Sequence, residues 1–337
     1  QYLDDLGRVT QYYCDPDLAE TVVRNSTETV QWLHGRGVRF VPRFGRYAFK
    51  HEDKFKFFGG TVVEAAGGGR GLVQAEYKAA EKLGIEIRYS AQATSLLRGR
   101  GGVQGVRIVA NGTEEEISSK AVVLAAGGFE ANREWRTRYL GPGWDMAKVR
   151  GTRYNTGDGI RMALDIGAQA YGQWSGCHSV SWERYAPDFG DLDRPITASR
   201  NGYPFGIMVN SDGKRFVDEG ADLRNYTYAK YGRAVLEQPG SYAWHVFDSQ
   251  VDHLLHDEYR SKGTTKVQAS TLEELVARME DVHPTQFLQT VCEYNAAVKR
   301  DVAFNPNVKD GKCTAALVIN KSNWALPIDT PPYLGFA

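Results

Sequence analysis

Apolar residues recur at helical spacing in several segments of the chain. Segment 15–35 opens with Asp-Pro-Asp, which combines an N-cap residue with a proline at the first helical position, and apolar residues follow every three or four positions. Segment 72–83 repeats this pattern after a glycine run at 67–71, for which we predict a flexible loop. A capping box at 270–273 and an apolar face across 284–299 predict two more helices.

Short apolar and β-branched runs predict strands between these helices. Such runs occupy residues 38–40, 85–89, 93–97, 106–109 and 121–124. The last run ends in a Gly-Gly turn. Strands arranged around a helix in this way predict an α/β nucleotide-binding core with an antiparallel excursion.

The second half of the chain has a different amino-acid composition. Tryptophan, proline and aspartate are frequent in segment 174–195. An Asp-Gly turn predicts a hairpin over 206–216. The end of the chain, 330–337, predicts a strand, whereas the basic, aromatic segment 43–58 predicts a surface loop or hairpin. We therefore predict a domain boundary near residue 172, which gives domains at 1–172 and 173–337.

Composition narrows the function classes. Lys and Arg total 41 of the 337 residues and balance 41 Asp and Glu, so no global charge favours nucleic acid or an anionic membrane. The cysteines lie far apart without C-x-x-C spacing, which predicts reduced thiols of a cytoplasmic protein and no metal site. No apolar stretch is long enough to span a bilayer, so we expect no direct membrane insertion.

Two segments rich in small residues carry the candidate chemistry. Residues 121–130 form an apolar run that ends in small residues, so the backbone can approach a flat or phosphorylated ligand closely. Residues 154–163 indicate a turn that feeds a helix N-terminus, where free N–H groups can meet a phosphate or a ring edge. Either segment alone is typical of an ordinary strand end or turn.

Together these segments resemble the flavin-binding core of the fumarate reductase and succinate dehydrogenase flavoproteins, and most closely the tricarballylate dehydrogenase branch. The motifs Gly59-Gly60, 67–72, 135–142 and Arg215–Glu219 extend the resemblance over most of the chain. It implies an α/β fold in which a partial Rossmann-like FAD-binding domain joins an α+β substrate-capping domain.

The same resemblance implies that the chain is truncated at both ends. The family places a strand and a G-x-G-x-x-G turn before the segments seen here, and this sequence contains no such fingerprint. The first residues correspond to a helical region of the family, and its last flavin-contacting segment would follow Ala337. We therefore expect this chain to bind FAD weakly or not at all.

Site residues follow from the resemblance, position by position. It implies substrate contacts at His178 and Thr197, an arginine of the proton path at Arg200, and the proton-transferring arginine at Arg224. The implied FAD contacts are Ala93, Ala125, Ala126, Gly127, Gly128, Thr156, Gly157 and Asp158. Taken without the family, the histidine is typical of an ordinary core or surface residue, Arg224 of a surface ion pair, and Asp158 of an N-cap.

Two departures from the family pattern affect the proton path. One extra residue separates Arg224 from the acidic pair that precedes it. Ala198 and Ser199 stand where the family has a relay glutamate beside the substrate threonine, so the proton exit or the substrate must differ.

The function that this resemblance implies is FAD-dependent dehydrogenation of a tricarballylate-like or succinate-like polycarboxylate at a carbon–carbon bond. An iron–sulfur or haem protein is the implied electron-transfer partner. The implied location is cytoplasmic, and peripheral association with a membrane would occur through that partner. Two alternatives stay open: a cobalamin-pathway flavoprotein that oxidises a corrinoid precursor, and a non-catalytic binding module whose glycines serve only packing.

Overall fold

A computed structural model describes residues 1–43, 48–51, 53–57, 62–190 and 198–337. The helices are α1 (Tyr2–Val9), α2 (Pro16–Gly35), α3 (Gly68–Lys82), α4 (Arg133–Leu140), α5 (Asp158–Asp165), α6 (Tyr228–Leu236), α7 (Leu272–Arg278) and α8 (Pro284–Ala297). The strands are β1 (Phe40–Pro42), β2 (Ala48–His51), β3 (Lys54–Phe57), β4 (Val63–Ala65), β5 (Ala91–Gly99), β6 (Gly102–Ala110), β7 (Thr113–Ser118), β8 (Ile207–Val209), β9 (Trp244–Asp248), β10 (Lys266–Ala269) and β11 (Tyr333–Phe336). Within the described ranges, no helix combines the length and apolar character needed to cross a membrane.

The N-terminal helices follow their sequence signals, with one exception. Helix α2 begins as predicted after Asp15, whose carboxylate accepts a hydrogen bond from the Leu18 N–H at 3.0 Å. The predicted glycine loop is wrong, because Gly67 is the N-cap of α3 and the following glycines form its first turn. A Cβ on Gly71 would lie 1.9 Å from the Ala66 carbonyl oxygen, so close packing accounts for that glycine.

Some strand predictions in this half are confirmed and two are wrong. The strands predicted at 93–97 and 106–109 are β5 and β6, and β7, which was not predicted, completes their antiparallel sheet. Strand β2 pairs with β3 as a hairpin. Residues 85–89 and 121–124 form no strand, because no other described segment pairs with them, and Val123 is 89% exposed. The strand predicted at 38–40 lies instead at 40–42 and pairs with β4. Gly59, Gly60 and Thr197 lie outside the described residues.

The C-terminal half is built on an antiparallel sheet with the strand order β10-β11-β9-β8. The final strand, predicted at 330–337, is β11 and lies inside this sheet. The hairpin predicted over 206–216 is only partly correct, since its return arm makes a single bridge from Arg215 to Val209 while β8 pairs with β9. The capping box is displaced by one residue, because Thr271 is the N-cap of α7.

Helices α7 and α8 cover one face of this sheet and form the main core. Phe287 and Val291 of α8 are fully buried against Trp244 and Val246 of β9. Because side chains alternate along a strand, His245 points to the opposite face, where its ring lies 6.3 Å from that of Tyr203. The domain boundary near residue 172 stays a prediction.

Candidate functional site

The two small-residue segments lie against each other and form one rigid turn. The Gly157 N–H donates to the Gly128 carbonyl at 3.0 Å, and the Ala131 N–H donates to the Asn155 carbonyl at 2.9 Å. The Asn132 side chain adds a bond to the Thr156 carbonyl at 3.0 Å. The structure therefore brings together the FAD contacts implied at 126–128 and 156–158.

Glycine is required at the centre of this turn. Gly127 and Gly157 have φ angles of +75° and +86°, a region that disfavours residues with a Cβ. A Cβ on Gly157 would also lie 2.7 Å from the Trp135 ring. Gly157 is the N-cap of α5, so the first N–H groups of that helix have no acceptor within the helix.

Asp158 is the first residue of α5, not its cap. The N-capping interpretation is therefore wrong, because the cap makes no side-chain hydrogen bond. One Asp158 carboxylate oxygen instead accepts from the Thr156 hydroxyl at 2.8 Å. Strand β5 lies beside the same helix, where the Arg161 side chain donates to the Thr94 carbonyl at 3.3 Å, and this places Ala93 next to α5.

A cavity of about 890 Å³ opens beside this turn. Gly128 lines one part of it, and His178 and Arg200 line other parts. Residues predicted for the substrate and the proton path therefore border the same cavity as a predicted FAD contact. Its charged lining residues are Glu130, Arg136, Lys148, Arg150, Glu183, Arg184, Arg200 and Asp281. The described residues contain no cluster of histidine, cysteine and carboxylate side chains that could hold a metal ion.

Two cations in the cavity wall have no carboxylate partner among the described residues. Arg136, 4% exposed, donates to the carbonyls of Ala147 at 2.8 Å and Asp145 at 3.1 Å. Lys148 donates to the carbonyls of Arg184 and Ala186. Burial lowers the pKa of both side chains from their ordinary values, which shows that their charges are poorly solvated.

Arg200 is held by a buried ion pair. Its Nη2 donates to the Glu183 carboxylate, and the exposures of these two residues are 1% and 3%. Glu183 also accepts from the Thr265 N–H at 3.0 Å and from the Thr265 hydroxyl. Sequence reasoning missed this glutamate, because only the Trp182–Ser199 bridge brings it next to Arg200.

His178 lies at an exposed position on the cavity wall. Its ring packs edge-on against Tyr228 with the centroids 5.0 Å apart. Partial desolvation by the surrounding protein, assisted by the positive charge of Arg150, lowers the pKa of His178 below its ordinary value. The neutral imidazole therefore predominates near pH 7 and can both donate and accept a hydrogen bond.

Arg224 does not line this large cavity. Its Nη1 lies 3.1 Å from the His256 Nε2, and both residues border a separate hollow of about 20 Å³. Burial raises the pKa of Tyr259, and the charges of Arg200 and Arg224 oppose that shift, so both arginines lie near the Tyr259 hydroxyl. The catalytic role of Arg224 stays a prediction.

His245 provides a pH-dependent test of this side of the cavity. Burial, assisted by the charge of Arg200, lowers the pKa of His245 from 6.5 to about 3. The unfolded chain binds this proton below pH 6.5 while the folded chain does not, so the stabilisation is complete above pH 6.5 and is lost as the pH falls. Relative to His245→Asn, we expect the wild type to lose about 1.4 kcal/mol of unfolding free energy per pH unit below that value. Urea unfolding at pH 7.5 and pH 5 measures this difference, and an equal acid response of both proteins would contradict it.

The sequence signature of the FAD binding domain family matches residues 1–321. A probable fumarate reductase, Ifc3 of Shewanella frigidimarina, is 28% identical over 324 residues, which cover 90% of this chain and 49% of the relative. A 3-oxosteroid 1-dehydrogenase of Mycobacterium tuberculosis is 27% identical over 264 residues, which cover 72% of this chain and 45% of the relative.

Solved structures show the same fold. The open conformation of a flavocytochrome c3 fumarate reductase matches 99% of this chain and 54% of its own, with a TM-score of 0.69 and 23% identity. A 3-ketosteroid Δ1-dehydrogenase from Sterolibacterium denitrificans matches 99% of this chain and 75% of its own, with a TM-score of 0.68 and 20% identity. The mixed helix-and-sheet fold expected from the sequence is thus confirmed. This chain spans about half the length of the fumarate reductases that it matches.

Proposed function

The chain belongs to the FAD binding domain family, and we propose that it is part of an FAD-dependent oxidoreductase that acts on a carbon–carbon bond of a polycarboxylate, in the manner of a tricarballylate or succinate dehydrogenase. The curated relatives support the reaction class, because they are named as fumarate reductases and 3-oxosteroid dehydrogenases. The choice of a carboxylic acid as substrate rests on the cavity.

The unpaired cations of the cavity wall are the observation that carries this choice. Arg136 and Lys148 donate to backbone carbonyls and not to carboxylates in the described ranges. Among the described residues, five lysine and arginine side chains line the cavity against three carboxylates, an excess of positive charge that a substrate carboxylate would reduce. Charges in a poorly solvated wall interact several times more strongly than the same charges in water. A neutral substrate would leave this excess of positive charge in place.

The turn at 126–128 and 156–158 fits the flat ring and the polar edges of a flavin. Residues 126 and 127 are exposed, and the first N–H groups of α5 have no acceptor within the helix. FAD bound there would supply the two-electron acceptor for the carbon–carbon bond. His178 and Thr197 would hold carboxylate groups of the substrate, and Arg200 and Arg224 would carry the proton away.

Flavin spectroscopy of the full-length protein tests this function. We expect the purified protein to absorb as a flavoprotein and its flavin to be reduced in stopped flow by tricarballylate or succinate, but not by a 3-oxosteroid. Reduction by the steroid alone would refute the choice of substrate. A colourless protein that does not bind added FAD would favour the non-catalytic binding module instead. A haem or iron–sulfur protein is the electron acceptor that we propose.

Asp158→Ala should reduce the flavin content of the full-length protein while leaving it folded. The Asp158 carboxylate holds the Thr156 hydroxyl within the turn, so its loss should disorder the cofactor seat. As a first-turn acid it stabilises α5 by only about 0.3–1 kcal/mol. Asp165→Ala, at the other end of the same helix, is the matched control. Full flavin content in Asp158→Ala, measured by absorbance after release of the cofactor, would show that Asp158 does not serve the flavin.

A further inference from the structure

We propose that Ser181, Arg200 and His245 form a subsite for an additional carboxylate group of the substrate, separate from the group that His178 would hold. This proposal rests on the proposed function and refines it, because it names the residues that distinguish a tricarboxylic acid from an otherwise identical dicarboxylic acid.

Each of the three residues has a buried side-chain polar atom without a hydrogen-bond partner among the described residues. These atoms are the Ser181 Oγ, the Arg200 Nε and the His245 Nδ1. The residues are 6%, 1% and 2% exposed, and all three line the large cavity. Buried polar groups normally have partners, because an unsatisfied one costs about 1–3 kcal/mol. We infer from three such groups lining one cavity that a ligand group satisfies them.

Backbone pairing brings these residues together. The Trp182–Ser199 bridge places Ser181 directly opposite Arg200, whose N–H donates to the Ser181 carbonyl at 2.9 Å. Directly opposite residues of an antiparallel pair project their side chains to the same face, about 5 Å apart. His245 projects from β9 to the face of the sheet where Tyr203 lies, and it lines the same cavity as Ser181 and Arg200.

The chemistry of the three atoms selects an acceptor. The Nε–H of arginine can only donate, the serine hydroxyl donates freely, and a neutral imidazole donates from Nδ1 in one tautomer. The ion pair with Glu183 engages the Nη2 of Arg200, whereas its Nε–H has no hydrogen-bond partner among the described residues. A carboxylate accepts several hydrogen bonds through its two oxygens and would satisfy the donors together, whereas a methyl group in its place would satisfy none.

Binding measurements on the full-length holoenzyme test the subsite. Methylsuccinate is tricarballylate without one carboxylate, so the two acids form a matched pair of probes. We expect Ser181→Ala and His245→Leu to weaken tricarballylate binding about tenfold to a hundredfold and to leave methylsuccinate binding within about threefold, as loss of a hydrogen bond to a charged group predicts. His245→Asn, whose amide nitrogen lies near the position of Nδ1, should restore most of the affinity.

Tyr294→Phe is the control, because the Tyr294 hydroxyl is also buried without a partner but does not line the cavity. It should bind both acids as the wild type does. Equal losses for tricarballylate and methylsuccinate in Ser181→Ala would overturn the subsite, and flavin reduction by either acid would still uphold the proposed function. If neither acid binds the wild type or reduces its flavin, both proposals fail. Flavin content reports whether His245→Leu folds, and Ser181→Ala decides the question if it does not.

Discussion

Arg224→Lys in the full-length enzyme should reduce the rate of flavin reduction by about two to four orders of magnitude, as expected for loss of a positioned acid–base group. Flavin content and substrate affinity should stay near normal. The planar guanidinium reaches the His256 Nε2 at 3.1 Å, and a lysine ammonium on its flexible stem cannot reproduce that geometry together with a second contact. Stopped-flow reduction of the bound flavin by tricarballylate measures the rate.

Two comparison variants separate this role from substrate binding. His178→Ala should chiefly raise the apparent substrate constant, because a carboxylate contact made in both the ground state and the transition state contributes mainly to binding. Arg233→Lys alters an exposed arginine of α6 that pairs with Glu237, and it should change neither quantity. A normal reduction rate in Arg224→Lys would transfer the proton-transfer role to Arg200, which lines the large cavity.

Local signals in the sequence predicted those elements whose stability depends on adjacent residues. Helix α2 begins where its Asp-Pro signal lies, and α8 buries the apolar face that its spacing predicted. The turn at 126–128 and 156–158 was also predictable, since glycine adopts the positive φ angles at its centre most readily. In each case the information is contained within a few residues.

Elements that depend on a distant partner were not predictable in this way. Residues 85–89 and 121–124 have strand-like composition, but a strand exists only when another backbone pairs with it, and the described residues provide none. The glycines at 67–71 were predicted to form a loop, but they lie at the start of helix α3. Their composition is typical of a loop, yet the approach of the Ala66 carbonyl to Gly71 requires a small residue within a helix.

The candidate site also contains residues that the sequence indicated and residues that only long-range pairing brings together. The family resemblance indicated His178 and Arg200, and both line the large cavity. The sequence around Glu183 and Ser181 does not indicate a role for either residue. Their roles depend on the bridge that brings them opposite residues 198–200. The sequence did not indicate His245, because it lies within an apolar strand. The alternation of side chains along β9 directs it away from α7 and α8.

The buried pair of Glu183 and Arg200 leads to the largest expected effect on stability. Glu183→Ala removes the one carboxylate that pairs with the buried Arg200 guanidinium among the described residues, and it removes the acceptor of the Thr265 hydroxyl and N–H. Breaking one partner of a buried ion pair costs about 3–5 kcal/mol of unfolding free energy, because the remaining charge is desolvated without compensation. Urea unfolding followed by circular dichroism gives this value from the shift of the midpoint.

A double variant determines whether the lost charge pairing is the cause. Glu183→Leu combined with Arg200→Met removes both charges and fills a similar volume, so it should recover much of the stability, since apolar replacements of buried pairs are often neutral or stabilising. The Thr265 hydroxyl still loses its acceptor in that variant, so recovery should fall short of the wild type by about 1–3 kcal/mol. If Glu183→Ala costs less than about 1 kcal/mol, solvent reaches Arg200 and the buried ion pair does not stabilise this wall of the cavity.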